Sequence, residues 1–147
     1  MDIRSLKHST YVRLSQNRPE VLQKNRGYGI VYLTINTLIY AIPLRSNMNH
    51  SSGFKTIYLK DKGYWCGLDY TKALIVGIND IELTAFKLRE QKEFDKIQKN
   101  KEKIKAEFEK YVEGYIQSVK DKTNTTEKRF KFSTLQYFHT ELCLQSE

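Results

Sequence analysis

The sequence predicts an α+β fold: a compact, curled antiparallel sheet wrapped by helices, with a long charged helix over about 81–120 and a short C-terminal helix. Three observations carry this. Two runs rich in β-branched and aromatic residues, Ile30–Ile35 and Leu38–Ile42, flank the pair Asn36-Thr37, the pattern of a tight hairpin. Apolar residues at Phe94, Ile97, Ile104, Phe108, Tyr111, Tyr115 and Val119 recur at spacings of three, four and seven, marking one face of a helix. A chain of 147 residues, 39% hydrophobic and 29% charged, suits one domain over 1–147 that buries its own core.

In chain order, a short strand is expected around Ile3. Ser9 can cap a helix carrying Tyr11, Val12 and Leu14, and Pro19 can open a turn with Val21 and Leu22. Gly27-Tyr28-Gly29 breaks the chain before the hairpin. Pro43 should end the second strand, because proline donates no ladder hydrogen bond. Residues 44–53 are almost wholly polar and loop-forming. Phe54–Leu59 returns to strand character, Asp61-Lys62-Gly63 is a turn, and Leu74–Ile78 is a further apolar strand. The sheet is expected to curl into a barrel. Asp80 can cap the long helix, which Phe86 and Leu88 begin. Its Lys/Glu-rich surface reads as a solvated face laced with i,i+4 pairs, or as a basic flank gripping phosphates. Residues 122–126 form a linker, and Ser133 or Thr134 can cap a final helix with Leu135, Phe138, Leu142 and Leu144.

Composition narrows the function classes. No apolar run approaches the roughly 20 residues of a membrane helix, and the N-terminus MDIRSLKHST lacks an apolar core, so no signal peptide and a cytoplasmic location are expected. Cys66 and Cys143 have no CxxC spacing and read as reduced thiols. Lys and Arg number 25 against 17 Asp and Glu, a net charge of +8, and such a field draws polyanions. Ten Tyr and seven Phe offer faces for unpaired bases, although many must be core.

Candidate chemistry gathers after Pro43, where Arg45, Ser46, Asn47, Asn49, His50, Ser51 and Ser52 lie close together with Lys55 just beyond. The three histidines lack metal-ligand spacing, and the sequence has no phosphate loop, dinucleotide fingerprint or nucleophile elbow. A reaction without metal or cofactor is therefore expected. RNA cleavage fits: the ribose 2′-hydroxyl is already the nucleophile, so the protein need only position it, move protons and stabilise charge. Histidine passes protons near neutral pH, and Arg and Lys hold charge on phosphorus oxygens. Equally, a Ser or His in a polar loop can be a turn former, and Arg45 and Lys55 can be ordinary sheet-edge charges.

Around this loop the chain resembles the toxins of type III toxin–antitoxin systems, the ToxN/AbiQ superfamily, especially its CptN and TenpN branches. The resembling residues are Gly29-Ile30-Val31, then Tyr40-Ala41-Ile42-Pro43-Leu44-Arg45-Ser46, His50, Phe54-Lys55-Thr56, Gly67 through Val76, and the closing Phe132-Ser133-Thr134-Leu135. The resemblance implies a sheet related to the Kid/MazF barrel, wrapped by helices. It implies an endoribonuclease that cuts A-rich single-stranded RNA, with cellular mRNA as the substrate, to 2′,3′-cyclic phosphate and 5′-hydroxyl ends. The implied partner is a small repeat RNA antitoxin, folded as a pseudoknot and processed by the toxin, in rings of alternating RNA and protein; phage defence is a common role. By position, Ser46 matches the family's serine, Arg45 precedes it where some members have threonine, and Tyr11 matches a tyrosine facing the RNA groove. Met48 stands where the founding member has lysine, so charge stabilisation must fall to Arg45, His50 or Lys55. The expected catalytic set is Ser46, His50, Lys55 and Arg45. The expected RNA contacts are Tyr11, Tyr28, Asn47, Asn49, Ser51 and Thr56. The alternatives are a non-catalytic basic RNA-binding module or a protein-interaction domain using the charged helix.

Overall fold

The computed structural model describes residues 2–16, 29–84 and 91–144. Strands β1 (Ile3–Arg4), β2 (Ile30–Ile35), β3 (Leu38–Arg45), β4 (Gly53–Leu59), β5 (Tyr64–Asp69) and β6 (Leu74–Val76) build one sheet, with helices α1 (His8–Ser15), α2 (Gln91–Lys99) and α3 (Lys101–Lys120) around it. The α+β class holds. Every pairing is antiparallel, in the order β1-β2-β3-β5-β4 with β6 also on β3. The sheet is open, because among the described residues no pairing joins β1 to β4.

The β2–β3 hairpin forms as expected. Asn36 and Thr37 both take positive φ, 50° and 71°, the sign that a two-residue turn needs to match the strand twist. Pro43, however, does not end β3, which runs on to Arg45. The reason lies in which way its missing N–H would point. The Leu44 N–H donates to Gly29 O on the β2 side, so a donor on Pro43 would face the opposite edge, and that edge is interrupted there. Leu68 pairs with Leu44 and Leu74 with Ala41, so six steps along β5–β6 oppose three along β3, leaving three extra residues. These form the 3-10 turn Tyr70–Lys72. A proline sits in a central strand because the ladder has a gap at that point.

β5 itself was not expected, and Leu74–Ile78 shortens to Leu74–Val76, with Ile78 in a second 3-10 turn. Helix α1 begins at His8 with Lys7 before it, placing Ser9 inside the helix. Asp80 caps no long helix: its carboxylate accepts from the Gly77 N–H at 2.7 Å, the Thr10 hydroxyl at 2.8 Å and Arg13 at 3.0 Å, holding α1 against the sheet end. Residues 81–84 are not helical, and the expected start at Phe86 and Leu88 lies outside the described residues, as does the Pro19 turn. The helix over about 81–120 is thus, where described, two helices meeting at Asn100, whose side-chain amide donates to the Lys96 carbonyl at 2.8 Å. The expected C-terminal helix is a 3-10 turn, Thr134–Tyr137, capped by Ser133.

The core lies between the sheet and α3. Ile104, Phe108, Tyr111, Val112 and Tyr115 are buried on one helix face, and an aromatic chain runs from Tyr40 through Phe108 and Tyr111 to Phe130 and Tyr115, with successive rings 5.2–6.3 Å apart. Offset and edge-on rings at such distances attract beyond their burial. Helix α2 docks on β4 through a buried bond between the Thr56 hydroxyl and the Glu93 carboxylate.

Candidate active site

Residues 46–52 link β3 to β4, and their shape is fixed from beneath. The Met48 N–H donates to Trp65 O at 2.7 Å, and the side chain is buried. Gly53 is the seat for it: a Cβ there would meet Met48 Cε and the Leu68 carbonyl oxygen, each at 2.3 Å. At the far end the Ser52 carbonyl accepts from the Tyr70 N–H at 3.1 Å. Between these anchors Asn47 (φ 55°), Asn49 and Ser51 are exposed. Met48 is the loop's apolar pin.

Asp69 organises the polar groups. It ends β5 and is fully buried. Arg45 Nη1 donates to Oδ2 at 2.8 Å, while the Thr71 N–H and hydroxyl donate to Oδ1 at 3.0 and 2.6 Å. His50 Nε2 lies 3.2 Å from Oδ1, a charge contact without hydrogen-bond alignment. His50 Nδ1 accepts the Ser52 N–H at 3.1 Å, so in the neutral ring the proton sits on Nε2, facing the carboxylate. Burial raises the Asp69 carboxyl, but hydrogen bonds from Thr71 and Arg45 and the charges of His50 and Arg45 outweigh it, and the group stays below its ordinary value.

Register supplies the neighbours. Gly67 pairs with Arg45 on one side and Lys55 on the other, so two cations stand in one row of the sheet across a residue with no side chain. Lys55 also lines a cleft of about 340 Å³ with His50, Ser51, Gly53 and Phe54 from the sheet side. Lys96, Asn100, Lys103 and Glu107 form its helical wall. Glu107 accepts from the Tyr70 hydroxyl at 2.9 Å, and burial with that bond drives the Tyr70 pKa upward.

Among the expected residues, His50, Ser51 and Lys55 therefore meet in the cleft, and Arg45 reaches His50 through Asp69. Ser46 is half-buried beside Arg45, and neither lines the cleft. Thr56 offers nothing to a surface strand, because its hydroxyl is buried against Glu93 and the Cys66 carbonyl. Tyr11 is half-buried against the core, and Tyr28 lies outside the described residues. In comparisons with known proteins, no family model, curated protein or solved structure matches the chain. Geometry alone must speak.

It adds Asp69, Lys96, Asn100 and Lys103. The last three had a signal: with Glu107 they step by four, three and four along the helical run, a polar stripe beside the apolar one. Asp69 carried a weaker one, an acid closing an apolar strand and followed by threonine two residues on. Among the described residues, no group of His, Cys, Asp and Glu could hold a metal ion, and no helix is long and apolar enough to cross a membrane.

Proposed function

We propose that the cleft binds single-stranded RNA and cuts it by attack of the ribose 2′-hydroxyl, as the resemblance to type III toxins implies. The observation that supports this most is the placement of His50, oriented by Asp69 and Ser52, on the wall of a cleft that also holds Lys55, Lys96 and Lys103. A carboxylate behind an imidazole fixes its tautomer and steadies its charged form. Lysines at the phosphate neutralise the charge that develops as phosphorus becomes pentacoordinate. In the reaction the 2′-oxygen bonds to phosphorus as its proton passes to His50 Nδ1, and the bond from phosphorus to the 5′-oxygen breaks. The 5′-oxygen takes a proton from water while the imidazolium later returns its own to solvent, giving a 2′,3′-cyclic phosphate and a 5′-hydroxyl. For Nδ1 to accept, it must first release the Ser52 N–H, so the loop shifts at Ser51-Ser52 when RNA enters. Arg45, bound to Asp69, acts by holding that carboxylate charged.

On this reading the open sheet is a relative of the Kid/MazF barrel, the cleft also takes a pseudoknot repeat RNA antitoxin, and activity needs no metal. Purified protein should cleave A-rich single-stranded RNA in the presence of EDTA and leave new 5′-hydroxyl ends. Intact RNA after incubation with folded protein sinks the proposal. His50→Ala should lower the rate by about 10²–10⁴-fold, the usual worth of a positioned proton carrier.

One observation favours a second reading. His50 Nδ1 is already occupied by the Ser52 N–H, which suits a non-catalytic RNA-binding module. End-group mapping separates the two, since a binding module generates no 5′-hydroxyl ends.

A further inference from the structure

Beyond the cleft, the hairpin of β4 and β5 carries Tyr58 and Trp65 as cross-strand partners. Their rings meet edge to face with centroids 5.6 Å apart, yet they remain 47% and 37% exposed. A β-bulge lies just before them: three steps from Lys55 to Tyr58 oppose two from Gly67 to Trp65. Bulges re-aim side chains and sharpen twist. Lys96 connects this pair to the cleft, since it lines the cleft and its ammonium lies 5.4 Å from the Trp65 ring centre and 5.7 Å from that of Phe54, itself a lining residue.

We propose that Tyr58 and Trp65 form a stacking subsite for an unpaired base of the RNA strand held in the cleft, an inference that rests on the cleft binding RNA. A strand whose phosphates follow Lys103, Lys55 and Lys96 leaves the cleft beside Trp65, where a ring face and an ammonium stand together. Stacking is sequence-tolerant, because every base has a π-face. A cross-strand aromatic pair also stabilises a hairpin, but that role alone calls for no response to bases.

Trp65 is the only tryptophan in the chain, so its fluorescence reports on this subsite alone. The probe is a 2′-O-methyl oligoadenylate of about ten nucleotides, which binds without being cut, compared with an abasic oligonucleotide of equal length and charge. Oligoadenylate should quench Trp65 and bind more tightly; the abasic chain should bind through charge without quenching. Trp65→Ala and Tyr58→Ala should each weaken oligoadenylate binding by about five- to 150-fold and leave abasic binding unchanged, while Trp65→Phe keeps most of the affinity. Thermal melts verify that the variants fold. Equal affinity and equal fluorescence with both probes overturn the subsite, even if RNA with free 2′-hydroxyls is cleaved. Quenching by oligoadenylate, with no cleavage of RNA that keeps its 2′-hydroxyls, supports the subsite and removes the nuclease reading instead.

Discussion

Replacing Asp69 with asparagine keeps the outline of the side chain and removes its charge, which separates the carboxylate's electrostatic work from its packing. Arg45 and His50 then face a neutral amide, and the Thr71 donors lose a charged acceptor. Hydrogen bonds to charged groups contribute about 1.5–3 kcal/mol, so Asp69→Asn should lower stability at pH 7 by about that amount in urea melts. The pH dependence follows from the lowered pKa of Asp69. A carboxyl depressed in the fold stabilises fully above its unfolded value, about 3.9, and that contribution is lost as pH falls through the lower folded value. The native protein should therefore weaken below about pH 4 more steeply than Asp69→Asn. Parallel acid titrations of the two proteins would contradict the ion cluster. The loop's residue types were legible because Arg, His and Lys in a polar turn advertise chemistry. Asp69 was only weakly legible, because its pairing with Gly53 at the end of the loop, a long-range register, is what brings it beneath those residues.

At the scale of elements, the row Arg45–Gly67–Lys55 depends on close approach of β4 to β5. A Cβ on Gly67 would come within 2.3 Å of the Phe54 carbonyl oxygen, and backbone cannot yield as a flexible side chain does. Gly67→Ala should cost about 1–3 kcal/mol by overpacking, seen as a lower Tm, and should move Lys55 away from the cleft; an unchanged Tm would mean the strands sit further apart. Helix α2 is docked by the buried Thr56–Glu93 bond, so Thr56→Val leaves a buried carboxylate short of a donor and should cost about 1–3 kcal/mol. If that variant melts like the native protein, α2 is held by other contacts. The hairpin and the apolar face of α3 were legible because local periodicity specifies them. The two breaks were not. Asn100 interrupts a helical pattern that continues on both sides, and β5 hides in a run where Gly67 and Asp69 dilute the strand signal. Which polar stripe of the helix faces the sheet is decided by packing, so Lys96 and Lys103 joined the site only in three dimensions.

For the whole molecule, the net charge of +8 matters less than its local concentration. If Lys55, Lys96 and Lys103 each contact a phosphate, three contacts at about 0.7 apiece give a slope near −2 for log affinity against log salt. Lys96→Met should reduce that slope by about 0.7; a slope unchanged by the substitution would place the backbone elsewhere. Charge and aromatic content were legible as totals, whereas their convergence beside one cleft was not. The tight turn between β2 and β3 has a further, kinetic consequence. Thr37 is β-branched and sits at φ 71°, a conformation that costs a residue with Cβ roughly 1–2 kcal/mol. Two-residue loops are the least expensive to close, and β3 is the strand on which β2, β5 and β6 all assemble. Thr37→Gly should relieve that strain, and if this hairpin nucleates folding, refolding should accelerate by about fivefold for each kcal/mol relieved. The native threonine would then act as a brake on the earliest long-lived contact the chain can make.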